Sequence, residues 1–358
     1  MEARIREIQK KITEKNENKG ASEEEFLSVL KLIVPGTTFR SALDGALKVG
    51  KGALIVIDNG NMFGLFEGGF RINTNFTPQK LTELTKMDGA IVLSKDAKKI
   101  NYANVLLTPN SKIKTNETGT RHKAAERTAK QAGTLAIAIS ERRSVITIYY
   151  KDIRYSLITT DELLRKTNEH IQLLEKQREL FDSYSEKLIK MDLKNYFNLS
   201  QAIQVIQKGK LIQKIASDLR RYSIELGKEG TLLRIRLKEI LSGVEKETDL
   251  ITRDYAKLEL EQTKLIMNSL SYEEILDENV VCQILGYENP NVNDSIAGWH
   301  ILMKTSLSES EAELVVRKAE KWETIENAEG QFFADILGED GAKTLHEDIQ
   351  KMKLSFNV

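Results

Sequence analysis

The sequence predicts an α/β domain with a mixed sheet, followed by an all-α region that ends in a small helical module. Three observations predict this order. Apolar runs of strand length alternate with helical stretches in the first part, helical periodicity takes over near residue 160, and no proline occurs between Pro109 and Pro290. The 358 residues suffice for two to three domains. We expect the domains to span residues 1–160, 161–285 and 286–358.

The first part opens on helix and strand signals. An amphipathic stretch from Phe39 to Val49 ends at Gly50, which suits a helix with a glycine stop. A strand candidate and a glycine-rich turn region follow, and helical stretches separate the later strand candidates, so we expect helices packed on a mixed sheet. The strand candidates are ALIVIDN, GAIVLS (89–94), TLAIAIS (134–140), SVITIYY (144–150) and IRYSLIT (153–159).

From Thr160 onward the pattern is helical. Asp161 can cap a helix, and apolar residues then recur at helical spacing, which predicts a spine of about three helices. Gly209, Gly227 and Gly230 are the expected breaks between them. The segment after Asn289-Pro290 is also expected to be helical.

Composition excludes several classes of protein. The chain is 41% hydrophobic and 30% charged, as in ordinary globular proteins, and no apolar run approaches the roughly 20 residues of a membrane helix. The N-terminal residues have no apolar core, so we expect no secretory signal and a cytoplasmic protein. A single cysteine, Cys282, excludes a disulfide framework and is expected in the core. Of the four histidines, His170, His300 and His346 are expected at the surface or at helix caps.

A charge gradient lies beneath the net charge of zero. Residues 1–160 hold 26 basic and 17 acidic side chains, whereas residues 271–358 hold 7 basic and 18 acidic ones. A basic first part suits an anionic ligand, and an acidic last part repels one. Uneven solvated surface is the alternative interpretation.

One candidate site is the run MDGAIVLS, in which Asp88 and Gly89 form a tight turn directly before a strand. A carboxylate at such an edge can hold a metal ion or activate a hydroxyl group, although most Asp-Gly pairs are plain turns. The same tripeptide occurs at Asp44-Gly45-Ala46, but there it falls inside a helical pattern, and we expect it to play no part in a site.

The second candidate is NETGTRHKAAERTAKQAG, which predicts a helix that starts at Gly119 and stops at Gly133. Arg121, His122 and Lys123 then lie near the free N–H groups of the first turn, an arrangement that suits a polyphosphate. A solvated basic helix face is the alternative. An acid and a basic cluster on separate strand-edge loops can converge, which favours the polyphosphate site.

The two motifs together carry a resemblance. The runs GGFRINTNFTPQKLTELTKMDGAIVLS and TNETGTRHKAAERTAKQAGTLAIAISERR closely resemble the diadenylate cyclase domain of the DisA family of bacterial DNA integrity scanning proteins. A DGA motif and an RHR motif at about this separation define that family. The resemblance is strong across about the first 160 residues and weaker afterwards.

The resemblance implies a diadenylate cyclase. Similar proteins condense two ATP molecules into cyclic di-AMP and two diphosphates with Mg²⁺ or Mn²⁺, and two sites face each other, so a dimer at minimum and an octamer are implied. Asp88, Arg121 and His122 are the implied catalytic residues, and Asp88 is also the implied metal ligand. The implied ATP-binding residues are Gly89, Ala90, Leu107, Thr120, Arg121, His122, Lys123 and Ser140. Phosphoryl transfer needs positioning and charge neutralisation, which such residues supply.

Two departures from the family pattern matter. Lys123 stands where the family has its second arginine, and lysine keeps the charge but loses the two-pronged grip on phosphate. The family's C-terminal helix-hairpin-helix module binds DNA through a tight two-glycine hairpin. Here Gly338 and Gly341 are separated by Glu339 and Asp340, so we expect a degenerate module that binds DNA weakly.

Two other functions stay open at this point. One is a catalytically weakened sensor that binds ATP or a cyclic dinucleotide, with Lys123 marking the loss of activity. The other is a scaffold that binds DNA junctions and for which the enzymatic domain is secondary. Asp88, Arg121 and His122 argue against the first, and the acidic C-terminal segment argues against the second.

Overall fold

The computed structural model describes residues 23–292, 294–328 and 332–357. Over these residues the chain forms two compact units, one made of residues 23–169 and 219–235, the other of the remaining residues. The first unit contains a mixed β-sheet with flanking helices, and the second unit is helical, so the predicted fold class is confirmed. The domain boundaries at residues 160 and 285 stay predictions.

The sheet of the first unit has eight strands in the order β2-β5-β4-β1-β6-β7-β8, with β3 also paired to β5. Among the strands that the structure describes, only β1 and β4 run parallel, and the other pairs are antiparallel. The elements are α1 (Glu23–Leu30), α2 (Thr38–Val49), β1 (Ala53–Ile57), β2 (Phe66–Glu67), β3 (Phe70–Asn75), α3 (Pro78–Leu84), β4 (Ala90–Leu93), β5 (Lys99–Leu107), α4 (Thr120–Ala132), β6 (Leu135–Ser140), β7 (Val145–Tyr150) and β8 (Ile153–Ser156).

Helices cover both faces of this sheet. On one face, Leu30 of α1 and Leu43 of α2 are fully buried in one cluster with Ile55 of β1. On the other face, α4 contributes the small side chains Ala125 and Ala129. Alanines let a helix axis approach the sheet closely, which brings the polar first turn of α4 near the strand ends.

Sequence patterns found five of the eight strands. The five predicted runs contain β1, β4, β6, β7 and β8, whereas β2, β3 and β5 were missed. Among the missed strands, β2 has only two residues, and β5 is irregular against both of its longer neighbours, with a φ of 56° at Asn104.

Asp44-Gly45-Ala46 lies in the middle of α2, as predicted, and Gly50 caps that helix in a left-handed conformation. Among the described residues, no single helix is long and apolar enough to cross a membrane; residues 25–33 and Thr38–Val49 pass such a test only as a pair bent by 66°. Phe26, Leu30 and Phe39 of this pair are buried in the domain core.

The helical part contains more helices than the three expected. In the ranges that the structure describes, seven begin between residues 160 and 285, and four follow. They are α5 (Thr160–Asp192), α6 (Leu199–Glu225), α7 (Gly230–Ile240), α8 (Val244–Tyr255), α9 (Leu260–Ser269), α10 (Tyr272–Leu276), α11 (Glu278–Ile284), α12 (Trp299–Leu302), α13 (Glu309–Ala319), α14 (Trp322–Glu326) and α15 (Ala334–Ser355).

Gly209 does not break a helix, contrary to the prediction. It lies inside α6, and a Cβ there would meet Thr248 Oγ1 of α8 at 2.0 Å. The glycine therefore serves close packing of two helices rather than termination. Gly227, with a φ of 60°, and Gly230 do separate α6 from α7 as predicted.

The expected surface position of His300 is wrong. His300 is 1% exposed and lies between two buried carboxylates, at 2.6 Å from Asp254 through Nδ1 and 3.1 Å from Asp192 through Nε2. Asp192 also accepts a hydrogen bond of 2.7 Å from the Tyr255 hydroxyl group. A buried charge needs such partners, and a spacing rule along the sequence does not detect them. Cys282 is buried as predicted.

The C-terminal hairpin differs from a tight two-glycine turn. Gly338 interrupts α15 with φ 76° and ψ 166°, and the helix resumes directly after it. Glu339, Asp340 and Gly341 therefore form the first turn of the resumed helix, and both carboxylates are exposed.

Candidate nucleotide site

The predicted site residues on strands lie at one edge of the sheet. Ala90 at the start of β4 pairs with Leu54 of the parallel strand β1 and with Val105 near the end of β5. On the other side of β1, Ala53 pairs with Ile139 near the end of β6. The edge where β1 and β4 begin is therefore the edge where β5 and β6 end, and it holds Asp88, Gly89, Ala90, Leu107 and Ser140.

Asp88 and Arg121 meet at this edge. Oδ1 of Asp88 lies 3.5 Å from Nη2 of Arg121, and their side chains are 98% and 39% exposed. An ion pair in such open solvent contributes little stability. The contact matters because it shows that the two side chains lie close together. The DGA turn and the first turn of α4, which the sequence marked as separate candidates, converge.

A glycine before β1 makes room for Arg121. A Cβ on Gly52 would lie 2.6 Å from Nη1 of Arg121. The guanidinium group thus rests against bare backbone at the sheet edge, where its orientation toward Asp88 is restricted.

Gly89 is fixed by two constraints. Its φ is 81°, a conformation that residues with a Cβ rarely adopt, and a Cβ there would lie 2.8 Å from the backbone carbonyl carbon of Asn104. The DGA turn is consequently pressed against the irregular part of β5, and this contact sets where Asp88 emerges.

The first turn of α4 offers free donors. Gly119 occupies the N-cap with extended φ and ψ and makes no side-chain cap, so the first N–H groups of α4 are not capped by it. Thr120 is exposed, and Lys123 follows His122 in the same turn. Uncapped N–H groups together with Arg121 and Lys123 make an electropositive helix start that suits phosphate oxygens.

Leu107 and Ser140 flank the edge. Leu107 ends β5, pairs with Phe66 of β2 and is 8% exposed. Ser140 ends β6, where its hydroxyl oxygen accepts a hydrogen bond from the Arg143 backbone N–H at 3.3 Å. No contact joins either residue directly to the Asp88–Arg121 pair among the described contacts.

His122 belongs to a hydrogen-bonded network. Its Nδ1 lies 2.8 Å from the Tyr149 hydroxyl oxygen, and that hydroxyl group donates to Oε1 of Glu117 at 2.8 Å. Arg154 Nε donates to the same carboxylate oxygen at 2.5 Å. The sequence pattern does not reveal Glu117, Tyr149 and Arg154, because only the fold brings these three positions beside α4.

This network shifts the pKa values of its members. Burial alone raises the pKa of Glu117, but hydrogen bonds from Arg154 and Tyr149 outweigh it and the net change is downward. Burial lowers the pKa of His122, Glu117 opposes this, and Arg154 and Arg143 add to it. At neutral pH the network therefore holds an ionised carboxylate and a neutral imidazole in the nucleotide-free protein.

The donor set suits a metal held jointly with a ligand. In the described ranges, no group of three or more His, Cys, Asp or Glu side chains is placed to hold a metal ion. The single exposed carboxylate of Asp88 fits the way Mg²⁺ usually binds, with one or two carboxylates and substrate phosphates.

Comparison with known proteins shows the family to which the chain belongs. Residues 40–153 match the family model described as DisA bacterial checkpoint controller nucleotide-binding, and residues 157–293 match the DisA bacterial checkpoint controller linker region. The DNA integrity scanning protein DisA of Acetivibrio thermocellus is 36% identical over 343 residues, covering 92% of this chain and 95% of that protein. The chain belongs to the DisA family.

Other family members and solved structures are also similar. DisA of Carboxydothermus hydrogenoformans is 37% identical, covering 94% of this chain and 99% of its own. A hypothetical membrane spanning protein from Bacillus cereus has 24% identity and a TM-score of 0.31, covering 34% of this chain and 62% of its own. DacA from Staphylococcus aureus has 21% identity and a TM-score of 0.28, covering 34% and 87%.

Family membership gives the α/β unit a nucleotide-binding function of the diadenylate cyclase type. The nucleotide-binding region precedes the linker region in the chain. The DGA turn, α4, Glu117 and Tyr149 lie inside the first of these regions, and Arg154 directly follows its last residue.

Proposed function

We propose that this chain is a diadenylate cyclase that condenses two ATP molecules into cyclic di-AMP and two diphosphates. The observation that carries the proposal is the 3.5 Å approach of Asp88 to Arg121, because it joins the DGA turn to the electropositive start of α4. A carboxylate beside a phosphate-binding surface is the arrangement that attack by a hydroxyl group on a phosphate requires.

In each half-reaction the 3′-hydroxyl oxygen of one ATP bonds to the α-phosphorus of the other, and the bond from that phosphorus to the bridging oxygen of diphosphate breaks. The hydroxyl proton leaves toward Asp88, whose side chain is 98% exposed and free to approach a nucleotide. Arg121, His122 and Lys123, with the N–H groups of the first turn of α4, offset the charge on the triphosphate. Thr120 is placed beside these groups.

A divalent ion, Mg²⁺ or Mn²⁺, is part of the proposal. Asp88 would hold it together with phosphate oxygens, and it would neutralise charge that develops on the phosphates. Gly89 and Ala90 lie directly after Asp88, while Leu107 and Ser140 flank the same sheet edge, and we assign these four residues to the nucleotide.

The proposal is tested by incubating the purified protein with ATP and either Mg²⁺ or Mn²⁺, followed by mass spectrometry for cyclic di-AMP. Formation of one cyclic di-AMP for every two ATP molecules consumed supports the cyclase. Tight ATP binding without product would instead identify a nucleotide-binding sensor and would overturn the proposal.

We also propose that the active form is at least a dimer, and that the full assembly is an octamer. A product with two-fold symmetry needs two nucleotides in facing sites, and one subunit offers a single DGA turn beside a single α4 start. Light scattering at the assay concentration tests this. An active monomer would contradict it.

DNA binding through the C-terminal segment is proposed to be weak. Residues 271–358 carry only seven basic side chains, and five of those lie within ion-pair distance of carboxylates. Neutralised side chains do not compete well for DNA phosphates. These five are Lys304, Arg317, Lys318, Lys351 and Lys353.

The hairpin adds to this effect, since Glu339 and Asp340 occupy the helix start that would approach a phosphate. Basic residues of the helical spine give limited compensation: Arg220 is exposed, but Lys210 is 5% exposed and bonded to Asn268. A gel-shift titration with junction and duplex DNA at two salt concentrations tests the proposal. Tight, junction-selective binding lost on deletion of residues 271–358 would overturn it.

A further inference from the structure

The position of the proton on His122 follows from its hydrogen-bond partners, and only the role of this proton in nucleotide binding rests on the proposed function. Arg154, Glu117, Tyr149 and His122 form a chain of hydrogen bonds whose donors and acceptors can be counted. Such counting decides which ring nitrogen of a histidine carries the proton.

Glu117 sets the direction of the chain. As a carboxylate it only accepts, and its Oε1 receives Arg154 Nε at 2.5 Å and the Tyr149 hydroxyl group at 2.8 Å. If the Tyr149 proton pointed at His122 instead, two oxygens that bear lone pairs, one of them anionic, would face each other at 2.8 Å. Tyr149 therefore donates to Glu117.

The direction of the hydrogen bond between Tyr149 and Glu117 determines the direction of the hydrogen bond between Tyr149 and His122. With its only proton committed, the Tyr149 oxygen can only accept from Nδ1 of His122, at 2.8 Å. The neutral ring then carries its proton on Nδ1 and a lone pair on Nε2. A Cβ built on Gly119 would lie 3.5 Å from Cδ2, the carbon bonded to Nε2, so this edge of the ring faces the start of α4.

We propose that Glu117 and Tyr149 are positioning residues which hold the Nδ1 proton of His122, so that Nε2 takes up a proton when the triphosphate binds and then donates it to a phosphate oxygen. A bare lone pair on Nε2 repels phosphate, whereas an imidazolium with both protons attracts it. Glu117 stabilises that cation through Tyr149 in the manner of a carboxylate behind a catalytic histidine.

Other charged groups around the ring act in the same balance. Glu117 precedes α4, Tyr149 lies on β7, Arg154 on β8, and Arg143 in the turn between β6 and β7, and the neighbours on α4 are Arg121 and Lys123. Burial lowers the pKa of His122, Glu117 opposes this, and Arg154 and Arg143 lower the pKa further, so the free ring is neutral. The arriving triphosphate adds negative charge beside the ring, and this charge favours uptake of a proton by His122.

The first test uses nucleotide-free protein. Nitrogen-15 NMR of the four histidines, with His122 assigned by His122→Gln, reports which ring nitrogen is protonated. The wild type is expected with the proton on Nδ1, and Tyr149→Phe is expected to move it to Nε2. A wild-type ring protonated on Nε2 would overturn the proposal whether or not the protein makes cyclic di-AMP.

The second test counts protons. Calorimetric titration with the α,β-methylene analogue of ATP in two buffers of different ionisation enthalpy is expected to show net proton uptake at pH 8. Tyr149→Phe should lower the uptake and weaken binding roughly tenfold, the effect of losing one hydrogen bond to a charged group. In turnover, the KM for ATP should rise more than kcat falls.

Tyr150→Phe is the matched control, because Tyr150 lies on the same strand and its ring packs against the core on the other face. It should leave the proton count and the affinity unchanged. Glu117→Gln, which keeps the shape but loses the charge, should weaken the pH dependence of binding. Proton uptake that persists fully in both Tyr149→Phe and Glu117→Gln would contradict their role.

Discussion

Nη2 of Arg121 lies 3.5 Å from Oδ1 of Asp88, although Asp88 lies in the turn before β4, Arg121 lies in the first turn of α4, and the two are far apart in the sequence. The contact arises because α4 lies across the sheet with its first turn at the edge where β1 and β4 begin. The bare backbone at Gly52 leaves space for the guanidinium group there. An exposed carboxylate is thereby placed beside a cation that packs against the Gly52 backbone.

Asp88→Asn is expected to abolish cyclic di-AMP formation while the fold and part of the ATP affinity remain. The amide cannot take a proton from the attacking hydroxyl group, whereas the proposed triphosphate contacts lie on α4. Mass spectrometry measures the product, and circular dichroism the fold. Asp44→Asn is the matched control, since Asp44 begins the same Asp-Gly-Ala tripeptide within α2 and pairs with Arg40. Near-parental turnover in Asp88→Asn would refute the site assignment.

Lys123→Arg is expected to raise the turnover rate about tenfold. Arginine can grip two phosphate oxygens at once, and a charge-assisted hydrogen bond contributes roughly 1.5–3 kcal/mol. Initial rates of diphosphate release measure the effect. Lys130→Arg makes the same change at the other end of α4, where Lys130 pairs with Glu126 at 2.6 Å, and should have no effect. An unchanged or lower rate in Lys123→Arg would show that the site has adapted to lysine.

Gly89→Ala is expected to inactivate the protein and to destabilise the α/β unit by about 2 kcal/mol or more. The added Cβ meets both an unfavourable φ of 81° and the Asn104 backbone at 2.8 Å. Gly64→Ala is the matched control for the effect of φ alone, because Gly64 has a φ of 72° but nothing within 4 Å of a Cβ, so the difference between the two variants isolates the contact with Asn104. Thermal unfolding compares the two variants. Equal losses of stability would mean that contact with Asn104 contributes nothing.

The sequence predicted what depends on local pattern. Continuous apolar runs gave β1, β4 and β6, and glycine stops gave the end of α2. The two site motifs could be found because their residue types are unusual at that spacing. The sequence also suggests that the two motifs converge, but only the folded structure can test this.

Long-range contacts account for what the sequence did not predict. Gly209 resembles a helix breaker until Thr248 of a neighbouring helix is seen against it. His300 lacks partners nearby in sequence, yet Asp192 and Asp254 enclose it. The same holds for Tyr149, whose role follows from the position of His122 above β7.

The helical unit is expected to lose stability as the pH rises from about 7 to 9. Burial alone lowers the pKa of His300, but hydrogen bonds to Asp192 and Asp254 outweigh it and raise the pKa to about 9 from an ordinary value of 6.5. Because the folded state holds this proton more tightly than the unfolded chain, the stabilisation is complete below the unfolded pKa of 6.5 and is lost as the pH rises through 9. The shift corresponds to about 3 kcal/mol at most.

His300→Gln tests this stabilisation directly. The variant should unfold at lower temperature than the parent at pH 7, and its melting temperature should change less between pH 7 and pH 9. His346→Gln, at an exposed position on α15, should reproduce the parent's pH dependence. Removing the imidazolium also leaves Asp192 and Asp254 as an uncompensated buried pair, so the loss at pH 7 should be large. A parent protein with no loss of stability over this range would show that His300 is neutral in the fold.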